Sequence, residues 1–140
     1  MTGVQTCALP IFCTPYTSKT KVLPEDSLFD AVKKHDVGVL GIKPFASNAI
    51  FQGDGDPDSP HVAEDNRRAR LTIRYILNNP AVTAPIPGLI SVAQVDNMAA
   101  AVKEHRELGA SELAELERLG DEMWANLPAE YQWLKDWEYV

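Results

Sequence analysis

The segment Ile86-Pro87-Gly88-Leu89-Ile90-Ser91-Val92-Ala93-Gln94 holds the strongest chemical signal in the chain. A short apolar run, a Pro-Gly turn, and Ser91 with Gln94 three positions on read as a strand that feeds directly into a capped helix. Such a helix start offers free backbone N–H groups and the positive end of the dipole, which suit a phosphate or carboxylate. In parallel α/β folds and barrels, ligands gather at the carboxyl ends of the strands, where this turn lies. An ordinary capped helix after a turn uses the same residues, and local chemistry alone leaves both readings open. A second strand end, Gly41-Ile42-Lys43-Pro44-Phe45-Ala46, puts Lys43 where a barrel strand would hold a ligand-binding group. A lone lysine there serves equally as a solvated charge. The string Gly38-Val39-Leu40-Gly41 lacks the G-x-G-x-x-G spacing of a dinucleotide fingerprint.

Other candidates are weaker. Asp54, Asp56 and Asp58 alternate like the opening of a calcium loop, but Ser59 stands at the glycine position and Pro57 and Pro60 intrude. His35, His61 and His105 fall in different elements without ligand spacing. Cys7 and Cys13 are the two cysteines, both near the start, and form no disulfide framework. Tyr131, Trp133, Trp137 and Tyr139 read as a tail over the core rather than a cofactor shelf.

Several elements position these residues. Pro24-Glu25-Asp26 opens a helix that ends with Lys33, Lys34 and His35. Residues 37–42 form a short run, apolar on both faces, typical of a buried parallel strand. A long polar connection over 46–62 precedes a helix over 63–78, with Leu71, Ile73, Tyr75, Ile76 and Leu77 inward and four arginines outward. Asn78-Asn79-Pro80 stops it, and 81–84 form a second strand. A helix from Ser91 carries Val92, Val95, Met98, Ala99 and Val102 on one stripe up to Gly109. Another opens at Ser111 with Leu113, Leu116, Leu119, Met123 and Trp124 inward, and Pro128 breaks it. Two buried-type strands joined through a helix make a βαβ crossover, hence α/β with parallel pairing. Two strands are too few for a sheet, so the chain reads as a piece of a larger sheet or barrel. Such a piece leaves strand edges open and Val37, Val39 and Val82 uncovered, and is expected to be marginally folded or to associate edge to edge.

The 140 residues give room for one domain, with 45% hydrophobic and 24% charged residues. The 13 Lys and Arg against 20 Asp and Glu give a net charge of −7, which disfavours nucleic acid and anionic membrane surfaces as partners. No apolar stretch approaches the roughly 20 residues of a membrane span, and the chain is expected to be cytoplasmic. Residues 1–12, MTGVQTCALPIF, resemble the peptide obtained by in-frame translation of a sequencing adapter and are set apart as a non-native or disordered leader. Residues 13–140 form the remaining unit.

The stretches VGVLGIKPFA, RARLTIRYILNNPAVTAPIPG and SVAQVDNMAAAV together resemble the carboxyl-terminal part of an aldo/keto reductase, over about Leu23 to Val140. The resemblance implies a fragment of a (β/α)8 TIM barrel, carrying its seventh and eighth strands. It implies reduction of aldehydes and ketones with a nicotinamide cofactor, usually the 2′-phosphorylated NADP, with NAD as the alternative. On the same ground Lys43, Pro44, Phe45 and Ala46 match the loop along the cofactor's diphosphate and ribose. Pro87, Gly88 and Leu89 match the turn after the eighth strand, and Ser91, Gln94 and Asn97 match the helix start at the adenosine end. A register shift of one would put Met98 at the Asn97 position. The family's catalytic Asp, Tyr, Lys and His lie on strands outside this chain, so no catalytic residue is assigned and the chain alone is expected to be inactive. Residues 88–94 also lack the Lys or Arg that normally selects the extra phosphate. Partners are then a cofactor and a small carbonyl substrate, with the oligomeric state open. A non-enzymatic α/β interaction module, docking through helix 111–125 and the aromatic tail, and a fragment of another phosphate-binding barrel are the alternatives.

Overall fold

The computed structural model describes residues 28–104 and 107–126, together with positions 129 and 132. The leader, both cysteines, Pro24 to Ser27, His105 and the aromatic tail lie outside the described residues. The element order is α1 (Leu28–Lys34), β1 (Leu40–Ile42), α2 (Val62–Leu77), β2 (Ala84–Ile86), α3 (Val92–Lys103) and α4 (Ala110–Ala125).

The strands pair in parallel, with Leu40 opposite Ala84 and Ile42 opposite Ile86. The fold is therefore mixed α/β with a βαβ unit, as the sequence pattern predicts. The strands are shorter than expected and the second is displaced. Residues 37–39 precede β1 without joining the ladder, and β2 occupies 84–86 rather than 81–84. The cause is the turn after α2. Asn79 N–H bonds the Ile76 carbonyl, Val82 N–H bonds the Asn79 carbonyl, and the Asn79 side chain accepts from Ala81 N–H, so residues 78–82 are still turning. The Val39 carbonyl accepts from both Thr83 and Ala84 N–H, and the Thr83 hydroxyl accepts from Val39 N–H at 2.9 Å, which locks the strand entry.

α2 organises the helical layer. Arg, Leu and Ala are strong helix formers, Glu64 and Asp65 suit its first turn, and Arg74 suits its last. Asn78 N–H returns to the carbonyls of Arg74 and Tyr75 and closes it. One buried cluster joins Phe45 and Ile50 of the β1–α2 connection, Ala69 and Ile73 of α2, Met98 and Ala101 of α3, and Leu119 and Met123 of α4. Two smaller clusters lie beside the strands, Ile76 with Val82, and Val32 with Val39 and Ala81.

Several side chains depart from expectation. On α3 the buried residues are Asn97, Met98 and Ala101, and the expected stripe of Val92, Val95 and Val102 faces outward, Val92 at 78% exposure. Small Ala101 and flexible Met98 let α3 lie close on α2, and that contact decides the buried face over the count of valines. On α4, Leu116, Leu119 and Met123 are buried while Leu113 is exposed. α3 ends at Lys103, and Gly109 opens α4 as its N-cap, where Glu112 accepts its N–H at 2.8 Å. Val39 and Val82, expected to be uncovered, are buried; the less covered residues of the strands are Leu40, Ile42, Ala84 and Ile86.

Candidate functional site

The β1–α2 connection folds back on the starts of α2 and α3 and encloses a cleft of about 80 Å³. Its shape comes from several left-handed residues. Ala46, Ser47 and Asn48 have φ of 50°, 54° and 69°, one turn of left-handed backbone closed by Ala49 N–H on the Ala46 carbonyl. For non-glycine residues this costs roughly 1–2 kcal/mol each, so the surroundings must hold it. The Asn48 side chain donates to the Asp54 carbonyl, and Phe45 and Phe51 meet with ring centroids 5.0 Å apart. Gly55 has φ of 72°, and a Cβ there would stand 3.1 Å from the Phe51 ring.

Asp65 anchors the far side of the loop. It is buried in the first turn of α2, and its carboxylate accepts from the N–H groups of Gln52 at 2.7 Å and Gly53 at 2.9 Å. A Cβ on Gly53 would lie 2.1 Å from the Ser59 hydroxyl, so glycine is required at that approach.

Gln94 ties the loop to the β2–α3 turn. Its Oε1 accepts from Ile90 N–H at 2.8 Å and its Nε2 donates to the Gly55 carbonyl at 2.8 Å. Ser91 caps α3 by accepting from Gln94 N–H. Half of the expected reciprocal cap is thus formed, and the glutamine has been diverted to hold the cleft together. Asn97 is also committed: its Oδ1 accepts from Arg70 at 2.7 Å and its Nδ2 donates to the Asn66 carbonyl at 2.9 Å.

Of the ten candidate residues, Phe45, Gly88, Leu89, Gln94 and Asn97 line this cleft. Ser91 is the α3 cap and is not part of the lining, while Ala46 lies half-buried in the loop and Pro87 half-buried in the turn. Lys43 is exposed at the end of β1 with φ of 52°, and Pro44 is buried. Met98, the alternative to Asn97 by register, also lines the cleft. Phe51, Asp65 and Asn66 belong to the site but were not among the sequence candidates. An acidic residue four positions into a helix after a long loop is the available signal for Asp65, but it reads first as a dipole partner.

The cleft lining combines three carboxylates, Asp54, Asp56 and Asp65, with apolar side chains, and the start of α3 lies beside it. The first turn of α3 leaves the Val92 and Ala93 N–H groups without helical partners, no atom lies within 4 Å of a Cβ position on Gly88, and Phe45, Leu89 and Met98 supply apolar wall.

A network on the other face of α2 holds the helices that frame the cleft. Arg67 bridges Glu64 and Glu115, and Arg74 pairs with Glu112 at 2.6 Å and Glu104 at 3.6 Å. Hydrogen bonds from Arg67 and then Arg68 draw the Glu64 carboxyl down to about 2. Arg74, with Gly109 N–H, lowers Glu112, and Arg67 lowers Glu115. Comparison with known protein families, curated proteins and solved structures finds no match to this chain. No helix among the described residues is long and apolar enough to cross a membrane.

Proposed function

We propose that this chain is the carboxyl-terminal part of an aldo/keto reductase barrel and carries the dinucleotide-binding portion of its site. The observation that supports this reading is convergence. The loop after β1, the turn after β2 and the start of α3 meet in one cleft beside the carboxyl ends of two parallel strands. The loop from Lys43 to Ala46 would run along the diphosphate and ribose, and the start of α3, with Ser91, Gln94 and Asn97, would lie at the adenosine end. Bound there, a reduced nicotinamide cofactor supplies hydride to an aldehyde or ketone carbon. The chain's own residues bind and orient; the acid that protonates the carbonyl oxygen belongs to strands outside these residues.

Titration of the 140-residue chain with NADH and NADPH, followed by nicotinamide fluorescence, tests the reading. Saturable binding competed by ADP is expected, with no oxidation of either cofactor when an aldehyde is added. Absence of saturable binding to folded chain overturns it. A non-enzymatic interaction module is the second reading, and the exposed valines of α3 favour it. In that case folded chain binds neither nucleotide.

A further inference from the structure

We propose that the outward face of α3 is a contact surface for a second copy of this chain, with the two α3 helices antiparallel. The proposal is independent of the dinucleotide reading. Val92, Val95, Ala99 and Val102 recur at intervals of three, four and three, which places them on one stripe of the helix. That interval is the seam spacing of paired helices. The opposite side of α3, with Asn97, Met98 and Ala101, is the one buried. On the stripe Val92, Val95 and Val102 are 78%, 51% and 59% exposed, and Ala99 is exposed with them.

Charge identifies the occupant. Asp96 and Lys103 lie seven positions apart, so they share one flank of the stripe, and both are exposed. Among the described residues neither has an ion-pair partner. A flank with one charge of each sign is matched by its own reverse, whereas a partner of uniform charge satisfies one of the two and repels the other. A two-fold axis at Ala99 reverses the second helix and brings the same flank of each copy together. Val95 then stands opposite Val102 of the second copy, and Asp96 opposite Lys103 of the second copy, each pair made twice. Ala99 meets its own equivalent on the axis, where a small side chain lets the helices approach. A parallel arrangement joins opposite flanks and leaves both charges unmatched. The stripe follows a helix of 12 residues, about 18 Å long. It falls short of the roughly 800 Å² per partner of a standard interface. The dimer is therefore weak, with a dissociation constant of about 10–100 μM.

Sedimentation equilibrium of the full chain over about 5–500 μM reads the proposal. Ile86→Thr is carried throughout, so that the open sheet face does not contribute. A monomer–dimer equilibrium is expected. Asp96→Lys and Lys103→Glu each turn two attractions into two repulsions and should raise the dissociation constant about tenfold. The swap Asp96→Lys, Lys103→Glu should return it to within about threefold of the parent. Ala99→Glu sets two carboxylates against each other on the axis and should leave monomer alone, with unchanged circular dichroism because Ala99 is exposed. Monomer at every concentration before any change to α3 overturns the proposal, whatever else covers the face. A dimer indifferent to Ala99→Glu, or single charge variants that the swap does not rescue, overturns it equally.

Discussion

Around α2 the chain buries Ala69 and Ile73 against residues of α3, α4 and the β1–α2 connection, and ties the same helix to α4 through Arg67 and Arg74. Around β1 and β2 it has two three-residue strands, two small clusters, and a sheet face carrying half-covered Leu40 and Ile42 and exposed Ile86. Parallel strands normally have helices or further strands on both faces. Among the described residues, the helical layer packs on itself, whereas the strand pair has one covered face and no further strand on either edge. The candidate cleft belongs to both, since its walls come from the helical layer and its position comes from the strand ends.

The sharpest way to break this contrast is a matched pair of truncations. Leu119→Ala in the helical core should cost about 2–5 kcal/mol, whereas Leu40→Ala on the sparse sheet face should cost about 1 kcal/mol or less. Urea denaturation of both variants measures this, and equal losses would mean that the strands are as integral as the helices. Next in size is Arg74→Gln, which removes one of the two arginine ties between α2 and α4 and takes from Glu112 and Glu104 the cation they share. A loss of about 1.5–3 kcal/mol is expected in the same denaturation series.

Acidification tests the same tie reversibly. Glu64, Glu112 and Glu115 all hold their protons less tightly folded than unfolded. Their contribution is complete above the ordinary carboxyl value near 4.5 and drains away as pH falls toward about 2, where Glu64 titrates. Thermal melts between pH 7 and pH 2 should be flat at first and then fall across that lower window. A melt that weakens instead between pH 7 and 5 would contradict the role given to these pairs.

Smaller effects refine the picture. The Thr72 hydroxyl is buried on α2 without a hydrogen-bond partner, so Thr72→Val should raise stability by about 1 kcal/mol. Ile86→Thr at the open sheet face should change stability by about 0.5 kcal/mol or less while reducing self-association in sizing chromatography.

The sequence made some of this legible for definite reasons. The helix ending at Asn78-Asn79-Pro80 and the parallel pairing follow from local breakers and from apolar runs too short to be helices. The position of β2 does not, because the Asn79 side chain extends the turn and pushes the ladder two to three residues downstream. The valine stripe of α3 misleads for a different reason: apolar periodicity marks a face that prefers burial, but the neighbouring helix decides which face is reached. Phe45, Gly88, Leu89, Gln94 and Asn97 do converge on the cleft. Asp65 reads in the chain only as a dipole partner, because its role depends on a loop returning to it across thirteen positions.

That return bears on what the connection between β1 and α2 costs to close. A tether of n residues loses conformational freedom roughly as the logarithm of n, about 0.6 kcal/mol for each doubling. By gripping residues 52 and 53, Asp65 divides one long tether into two short ones whose closures are largely independent. Residues inserted between Asp56 and Pro60 would lengthen only the second tether, beyond the point where Gln94 holds Gly55. The two segments are therefore free to change length separately, although both contribute residues to the cleft.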